Sequence, residues 1–225
     1  DNTQVLFLAQ ANRQLEPYYN STLFVVPAEG GRPRLLLPDF PHAIDHASWA
    51  PDGKAILAVV NMGVHSELYR IDVAAKSARA LTDGRHSVQF WSVASEAGRM
   101  IFQLDEPTRL GDVWTLPLAG GTPTRVTGIY DSLERDFPLP RQEKVQWKGA
   151  DGVTVEGLLF YPIDHETTKR YPLVVQMHGG PQDSDKFGLG PGVIVNYVPV
   201  LTVKVPAKPA RKRSLNSSAG IGRQA

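Results

Sequence analysis

A repeat with a period of 45 residues constrains this chain more than any other feature of its sequence. An aromatic residue lies within a short apolar run at Phe24, Tyr69 and Trp114, each 45 positions after the one before. Each run is followed by a small-residue turn and a second short run, over residues 30–36, 75–82 and 120–127. This self-similarity indicates that one supersecondary unit is built several times along the chain.

A second group of repeated residues lies between the aromatic markers. The sequence Trp49-Ala50-Pro51-Asp52-Gly53-Lys54 precedes one apolar run, and Trp91 with Ala97-Gly98 precedes another. Asp52-Gly53 and Ala97-Gly98 are tight-turn signals between strands. Four short strands in about 45 residues are typical of a blade of a β-propeller.

We therefore predict that residues 1–137 are C-terminal blades of a β-propeller, about three in number, with a meandering β-sandwich as the alternative. Trp49, Trp91 and Trp114 are expected to pack between blades and not to form a ligand cage. A propeller needs more blades than this to close, so the chain is expected to be a fragment with further blades upstream of Asp1.

The pattern changes after a proline-punctuated link at 137–141. Residues 143–148 and 153–162 alternate between apolar and polar side chains and flank a Gly-rich turn, which predicts a hairpin. The run Leu173–Met177 is short, apolar and rich in β-branched residues, as a buried central strand would be. Residues 141–201 are predicted to be the N-terminal part of an α/β-hydrolase domain.

This apolar run stops at His178-Gly179-Gly180-Pro181, the most chemically suggestive sequence in the chain. In α/β-hydrolases the loop after the third strand supplies a backbone N–H to the oxyanion hole. Glycines allow the backbone to approach a developing negative charge closely. Taken alone, the four residues fit an ordinary strand-to-loop turn equally well.

Taken together, these segments resemble the prolyl oligopeptidase family of serine peptidases, in its acylaminoacyl-peptidase and dipeptidyl-peptidase-like branch. The resemblance covers roughly residues 20–200 and depends on the Trp49–Lys54 motif, Trp147–Pro162 and Tyr171–Pro181. It implies hydrolysis of short peptides by acyl transfer, with the propeller restricting access. It also implies that His178, Gly179, Gly180 and Pro181 form the oxyanion loop.

The nucleophile sequence Gly-x-Ser-x-Gly occurs nowhere in the 225 residues, so no catalytic residue is assigned. In the family it lies downstream of His-Gly-Gly, followed by Asp and His, which would place all three beyond Ala225. We expect the chain to be inactive alone. Residues 202–225 are interpreted as an aberrant, basic and disordered tail, because prolines and Lys/Arg break the expected strand pattern. The alternative function is a TolB-like propeller that binds partners without catalysis.

Composition narrows the other possibilities. The formal charge of +1, with no long apolar segment, predicts neither a nucleic-acid nor a membrane partner, and cysteine is absent. The expected partners of the whole protein are short peptide substrates, with no cofactor, and the expected location is cytoplasmic, with periplasmic or secreted as alternatives. Three further groups are interpreted without a functional role. The potential metal ligands His42, Asp45 and His46 are placed in a connection between blades, and the glycines at 188, 190 and 192 have a spacing that does not fit a dinucleotide site. Asp105, Glu106 and Asp112 are most simply loop charges between strands, although in a full propeller such residues can face the central cavity.

Overall fold

The computed structural model describes residues 3–179 and 184–189. The regular secondary structure of this part is almost entirely β-strand, with one short helix, α1. In chain order the elements are β1 (Gln4–Ala11), β2 (Pro17–Pro27), β3 (Arg34–Leu35), β4 (Ala43–Trp49), β5 (Ala55–Asn61), β6 (Ser66–Asp72), β7 (Ser77–Ala80), β8 (Ser87–Ala94), β9 (Arg99–Glu106), β10 (Arg109–Pro117), β11 (Thr124–Arg125), α1 (Asp131–Asp136), β12 (Gln142–Lys148) and β13 (Thr154–Phe160).

The strands form three consecutive antiparallel sheets followed by a hairpin. The first sheet has the order β1-β2-β3, the second β4-β5-β6-β7, and the third β8-β9-β10-β11. The sequence repeat is also a repeat of strand register: Phe24 is paired with Leu35, Tyr69 with Ala80, and Trp114 with Arg125. Four-stranded meanders of this kind are propeller-like, as the 45-residue period predicts.

The turns predicted from the repeat are also found. Gly53 and Gly98 have φ angles of 63° and 61° in the turns before β5 and β9. Their N–H groups donate to the carbonyls of Ala50 and Ser95, at 2.9 and 3.1 Å. Glycine adopts this left-handed conformation without the Cβ clash that other residues suffer, which explains its place in both turns.

The second sheet is packed between the other two, and β5 lies at the centre of this arrangement. Alternate side chains of a strand point to opposite faces, so β5 contributes to two cores at once. Ile56, Ala58 and Val60 pack with residues of the first sheet, such as Leu23, while Leu57 and Val59 pack with residues of the third, such as Phe102. All six residues from 55 to 60 are buried.

The tryptophans predicted to pack between repeats do so. Trp49 packs on the core between the first two sheets, whereas Trp91 and Trp114 pack on the core between the second and third. The predicted hairpin is present as β12 and β13, paired in register from Gln142 opposite Phe160 to Lys148 opposite Thr154.

The predicted buried strand at Leu173–Met177 is wrong for this structure. Residues 171–178 have no strand assignment, and the side chains of Leu173, Val174, Val175 and Met177 are between 70% and 88% exposed. A central strand requires hydrogen-bonded neighbours on both sides, and no described segment pairs with this run. The α/β-hydrolase domain is therefore not formed within the described residues.

The predicted domain boundaries at 137, 141 and 201 stay predictions, and the basic tail 202–225 lies outside the described residues. No helix in the described part is long and apolar enough to cross a membrane.

Candidate functional site

The loop expected to hold an oxyanion is only partly described, through His178 and Gly179; Gly180 and Pro181 lie outside the described residues. His178 is exposed, and its Nδ1 lies 2.9 Å from the carbonyl oxygen of Gly179. A Cβ placed on Gly179 would meet no atom within 4 Å. The described half of the loop is therefore open on the side where a substrate or another segment could approach.

The described segment that follows this loop, Ser184–Leu189, docks on the ends of the second and third sheets. Its centre is Phe187, whose side chain is buried. The Phe187 N–H donates to the carbonyl of Val64 at 2.8 Å, and the hydroxyl of Ser87 donates to the Phe187 carbonyl at 3.0 Å. The guanidinium of Arg85 lies over the Phe187 ring, 4.9 Å from its centroid. Side-chain burial and backbone hydrogen bonds thus fix the same residue.

Gln142, the first residue of β12, binds the next residue of this segment through both ends of its amide. The Gly188 N–H donates to Gln142 Oε1 at 3.0 Å, and Gln142 Nε2 donates to the Gly188 carbonyl at 3.2 Å. Gln142 is itself 2% exposed. The Arg85 guanidinium also donates to the Gln142 backbone carbonyl. The hairpin, the third sheet and the segment after the loop are therefore joined at one point.

On the second sheet the same segment is held by a lysine. The ammonium of Lys186 donates to Asn61 Oδ1 at 2.7 Å and to the Gly63 carbonyl at 2.6 Å. Asn61 is the last residue of β5. Both contacts use polar groups that the end of a sheet leaves outside the strand ladder.

Asp105 occupies the position on β9 that Asn61 occupies on β5. Asp112 is paired with Leu104 in the third sheet, as Glu67 is paired with Val60 in the second, and Asp105 and Asn61 follow next along their strands. Asp105 is 2% exposed and its Oδ2 has no hydrogen-bond partner. Burial raises the pKa of Asp105 to about 6, and a hydrogen bond from the Gly111 N–H only partly opposes this.

Gly188 lies directly against this carboxyl group. A Cβ on Gly188 would be 2.5 Å from the Asp105 Cβ, and the residue has a φ of +107°. Both the close approach and the backbone conformation require glycine. Of the glycines at 188, 190 and 192, Gly188 therefore has a packing role, whereas Gly190 and Gly192 lie outside the described residues.

A carboxylate and a threonine form a repeated hydrogen-bonded cluster in the two four-stranded sheets. In the second sheet the Thr82 hydroxyl donates to Glu67 Oε2 at 2.6 Å and the Gly84 N–H donates to Glu67 Oε1 at 3.0 Å. The Leu68 N–H donates to the Thr82 oxygen at 2.9 Å, and His86 Nε2 lies 2.7 Å from Glu67 Oε2. Glu67, Thr82 and His86 are all buried.

In the third sheet Asp112 and Thr127 occupy the same places, 45 residues later. The Thr127 hydroxyl donates to Asp112 Oδ1 at 2.7 Å, the Ile129 N–H donates to the same oxygen at 3.0 Å, and the Val113 N–H donates to Thr127 at 2.9 Å. Here Arg125 completes the cluster, donating to Asp112 Oδ2 at 2.7 Å. Burial alone would raise the pKa of Asp112, but these hydrogen bonds and the Arg125 charge outweigh it and lower that pKa.

Two sequence interpretations are corrected by these placements. Asp105, Glu106 and Asp112 were expected to be loop charges, but Asp105 and Glu106 end β9 and Asp112 lies within β10. Asp105 and Asp112 are buried, as is Glu67, the residue equivalent to Asp112 in the second sheet. The signal available in the sequence was the shared 45-residue spacing of Glu67 with Asp112 and of Thr82 with Thr127.

The potential metal ligands are also placed differently from the expectation. Asp45 and His46 belong to β4 and not to a connection between blades, and the pairing with β5 is irregular between Ile44 and His46. His42 contacts the Phe40 ring edge-on, with ring centroids 5.7 Å apart. Across residues 3–179 and 184–189, no three His, Cys, Asp or Glu side chains are grouped as a metal ion would require.

Known proteins resemble this chain both in sequence and in fold. No family model matches the chain. It is 28% identical over 166 residues to dipeptidyl-peptidase 5 of Porphyromonas gingivalis, covering 72% of this chain and 23% of that protein. It is 30% identical over 94 residues to the uncharacterized peptidase YuxL of Bacillus subtilis, covering 42% of this chain and 14% of that protein. The chain thus spans less than a quarter of the length of either relative.

Several of the solved structures that resemble this fold are peptidases as well. An acylaminoacyl peptidase in complex with Z-Gly-Gly-Phe-chloromethyl ketone matches with a TM-score of 0.65 at 15% identity, over 83% of this chain and 28% of the other. The acylaminoacyl peptidase of Pyrococcus horikoshii matches with a TM-score of 0.56 at 14% identity, over 72% of this chain and 24% of the other. The fold is propeller-like, and the chain is similar to one part of each of these peptidases. The chain is related to peptidases of the prolyl oligopeptidase family, as its motifs predict.

Proposed function

We propose that this chain supplies the propeller-like side and the oxyanion loop of a serine-type peptidase that hydrolyses short peptides by acyl transfer. The sheets restrict access to the active site, and the loop at His178, Gly179, Gly180 and Pro181 provides a backbone N–H to the developing oxyanion. The 225 residues contain no Gly-x-Ser-x-Gly sequence, so we place the catalytic triad in another part of the whole protein. The chain on its own is therefore expected not to hydrolyse peptides.

The observation that carries this proposal is the docking of Ser184–Leu189, the described segment that follows the loop in sequence, on the ends of the sheets. An oxyanion donor stabilises a transition state only if its position is fixed before the reaction begins. Phe187 and Gly188 attach the chain to both sheets and to Gln142 only a few residues after Gly179. A fixed point this close in sequence to Gly179 supports the proposal that the loop is held in place before the reaction.

The test is peptide hydrolysis by the complete product of the gene, measured on dipeptidyl and acylaminoacyl substrates alongside labelling by a fluorophosphonate probe. Gly179→Pro removes one backbone N–H and is expected to lower kcat by about 10²- to 10³-fold with little change in KM. Gly179→Ala is the matched control, because it keeps the N–H and its Cβ would enter open space. It should retain most of the activity.

Absence of fluorophosphonate labelling in the complete gene product would refute the serine mechanism. It would favour the weaker alternative, a TolB-like propeller that only binds partners. Equal activity of Gly179→Pro and Gly179→Ala would be compatible with a peptidase, but it would show that the Gly179 N–H does not stabilise the oxyanion. A cytoplasmic location, with the periplasm or the exterior as alternatives, is a further prediction that cell fractionation would check.

A further inference from the structure

A cleft of about 470 Å³, at a distance in sequence from the candidate loop, is lined by four cationic side chains. Arg32 and Arg34 belong to the stretch from Arg32 to Pro38, which contains β3 and forms one side of the cleft. Arg13 comes from the loop between β1 and β2, and Lys76 comes from the turn between β6 and β7. Two sheets therefore contribute positive charge to one surface depression.

None of the four cationic residues takes part in an ion pair within the described part of the chain. Among the described residues no carboxylate lies within ion-pairing distance of Arg13, Arg32, Arg34 or Lys76. The remaining lining residues are Pro33, Leu35, Leu36 and Pro38, which carry no side-chain charge. Elsewhere in the described part of the protein, the exposed Arg141 is paired with Glu143 and the partly exposed Arg70 with Asp52. Grouped cations without counter-charges attract anions strongly.

Lys76 provides an independent observation, because its backbone is strained. Its φ is +52°, whereas the equivalent residues of the neighbouring repeats, also at positive φ, are Gly31 and Gly121. A residue with a Cβ in this region costs about 1–2 kcal/mol relative to glycine. Strained residues of this kind are enriched at functional sites, and Lys76 is one of the residues that line the cleft.

We propose that this cleft binds a small polyanion built from a chain of phosphate groups. Arginine presents a planar fork of N–H donors that matches phosphate oxygens in pairs. The lining contains no aromatic side chain on which a nucleobase could stack, so the phosphates are the part recognised. Pro33 and Pro38 lack N–H groups, which makes the β3 edge a poor template for adding an extended peptide strand. This binding site is separate from the proposed peptidase activity.

The proposal is tested by isothermal titration of the purified 225-residue chain with inorganic tripolyphosphate at physiological salt. We expect saturable binding with one site per chain. Arg32→Gln and Lys76→Gln should each weaken it about tenfold, as loss of one hydrogen bond to a charged group implies. Lys76→Arg should retain it. Arg170→Gln removes the same charge from an exposed position outside the cleft and should leave the affinity unchanged.

The Lys76→Gly variant tests whether Lys76 occupies its strained backbone position because its side chain binds the ligand. It relieves the backbone strain, so the folded state should be at least as stable as the wild type while tripolyphosphate binding falls about tenfold. ATP should bind no more tightly than tripolyphosphate. The proposal is overturned if wild type shows no saturable binding, if Arg170→Gln weakens binding as much as Arg32→Gln, or if ATP or hexaglutamate binds more tightly than tripolyphosphate.

Discussion

Asp105 and Asp112 lie on adjacent strands of the third sheet and are almost equally buried, yet burial affects their carboxyl groups in opposite ways. Asp112 receives hydrogen bonds from Thr127, Ile129 and Arg125, and its pKa is lowered. Asp105 has an oxygen without a partner, and its pKa is raised to about 6. The comparison teaches that the donors around a buried carboxylate, and not its depth, decide whether its charge stabilises the fold.

The largest expected effect comes from removing the partnered carboxylate. Asp112→Ala would leave the Thr127 hydroxyl and the Ile129 N–H without an acceptor, while Arg125 would keep only its pairing with Asp131. We expect the free energy of unfolding to fall by about 3 kcal/mol, because breaking a buried pair strands the donors that surrounded it. Urea denaturation followed by tryptophan fluorescence measures this change.

Asp136→Ala is the control for this experiment, since it removes an exposed aspartate paired only with the neighbouring Arg135. Its effect should stay within about 0.5 kcal/mol. If Asp112→Ala proved as mild as Asp136→Ala, the cluster around Asp112 would contribute nothing to stability and the comparison would collapse.

Removing the unpartnered carboxylate should have the opposite sign. Asp105→Asn keeps an oxygen to accept the Gly111 N–H but carries no charge into the buried site. We expect it to raise the free energy of unfolding at pH 8 by about 1–3 kcal/mol, because the raised pKa of Asp105 means that its charged form is costly in the folded state, at about 1.4 kcal/mol per pKa unit. A decrease at pH 8 would mean that Asp105 has a stabilising partner in the folded protein.

The pH dependence of stability gives a separate check on Asp105. Its folded pKa of about 6 exceeds its ordinary value of 3.8, so between these values the folded state binds more protons than the unfolded state. Its contribution to stability is therefore fully present below pH 3.8 and is lost as pH rises through 6. Urea midpoints of wild type and Asp105→Asn should converge near pH 4 and separate above pH 7. A separation that grew towards acid would contradict the raised pKa.

Local periodicity was sufficient to predict the strands, because a repeat in the sequence is also a repeat in strand register. The aromatic positions Phe24, Tyr69 and Trp114 and the turn glycines Gly53 and Gly98 were each found where the 45-residue period places them. The β12–β13 hairpin was predicted on the same local basis. Each of these elements depends on partners close in sequence.

The candidate site could not be predicted in the same way, because its contacts join residues far apart in sequence. Ser87 bonds the carbonyl of Phe187, and Gln142 binds Gly188, through pairings that no local pattern records. The run Leu173–Met177 shows the reverse case: its composition favours a strand, but a strand forms only where another strand is available to pair with it. The clusters of a carboxylate and a threonine are an intermediate case. Their 45-residue spacing can be read from the sequence, but the burial of their side chains cannot.

The smallest predicted effect tests whether the clusters of the two sheets are equivalent. Thr127→Val keeps the shape of the side chain but removes the hydroxyl that donates to Asp112 and accepts from the Val113 N–H. Thr82→Val does the same to Glu67 and the Leu68 N–H. Each should lower the free energy of unfolding by about 1 kcal/mol. Because Asp112 relies on Thr127 for part of its lowered pKa, Thr127→Val should also move the acid limb of the stability profile to higher pH. Urea unfolding of both variants between pH 3 and pH 8 measures the two effects. A loss at one threonine with none at the other would show that the repeat conserves the geometry of the cluster without conserving its energetic contribution.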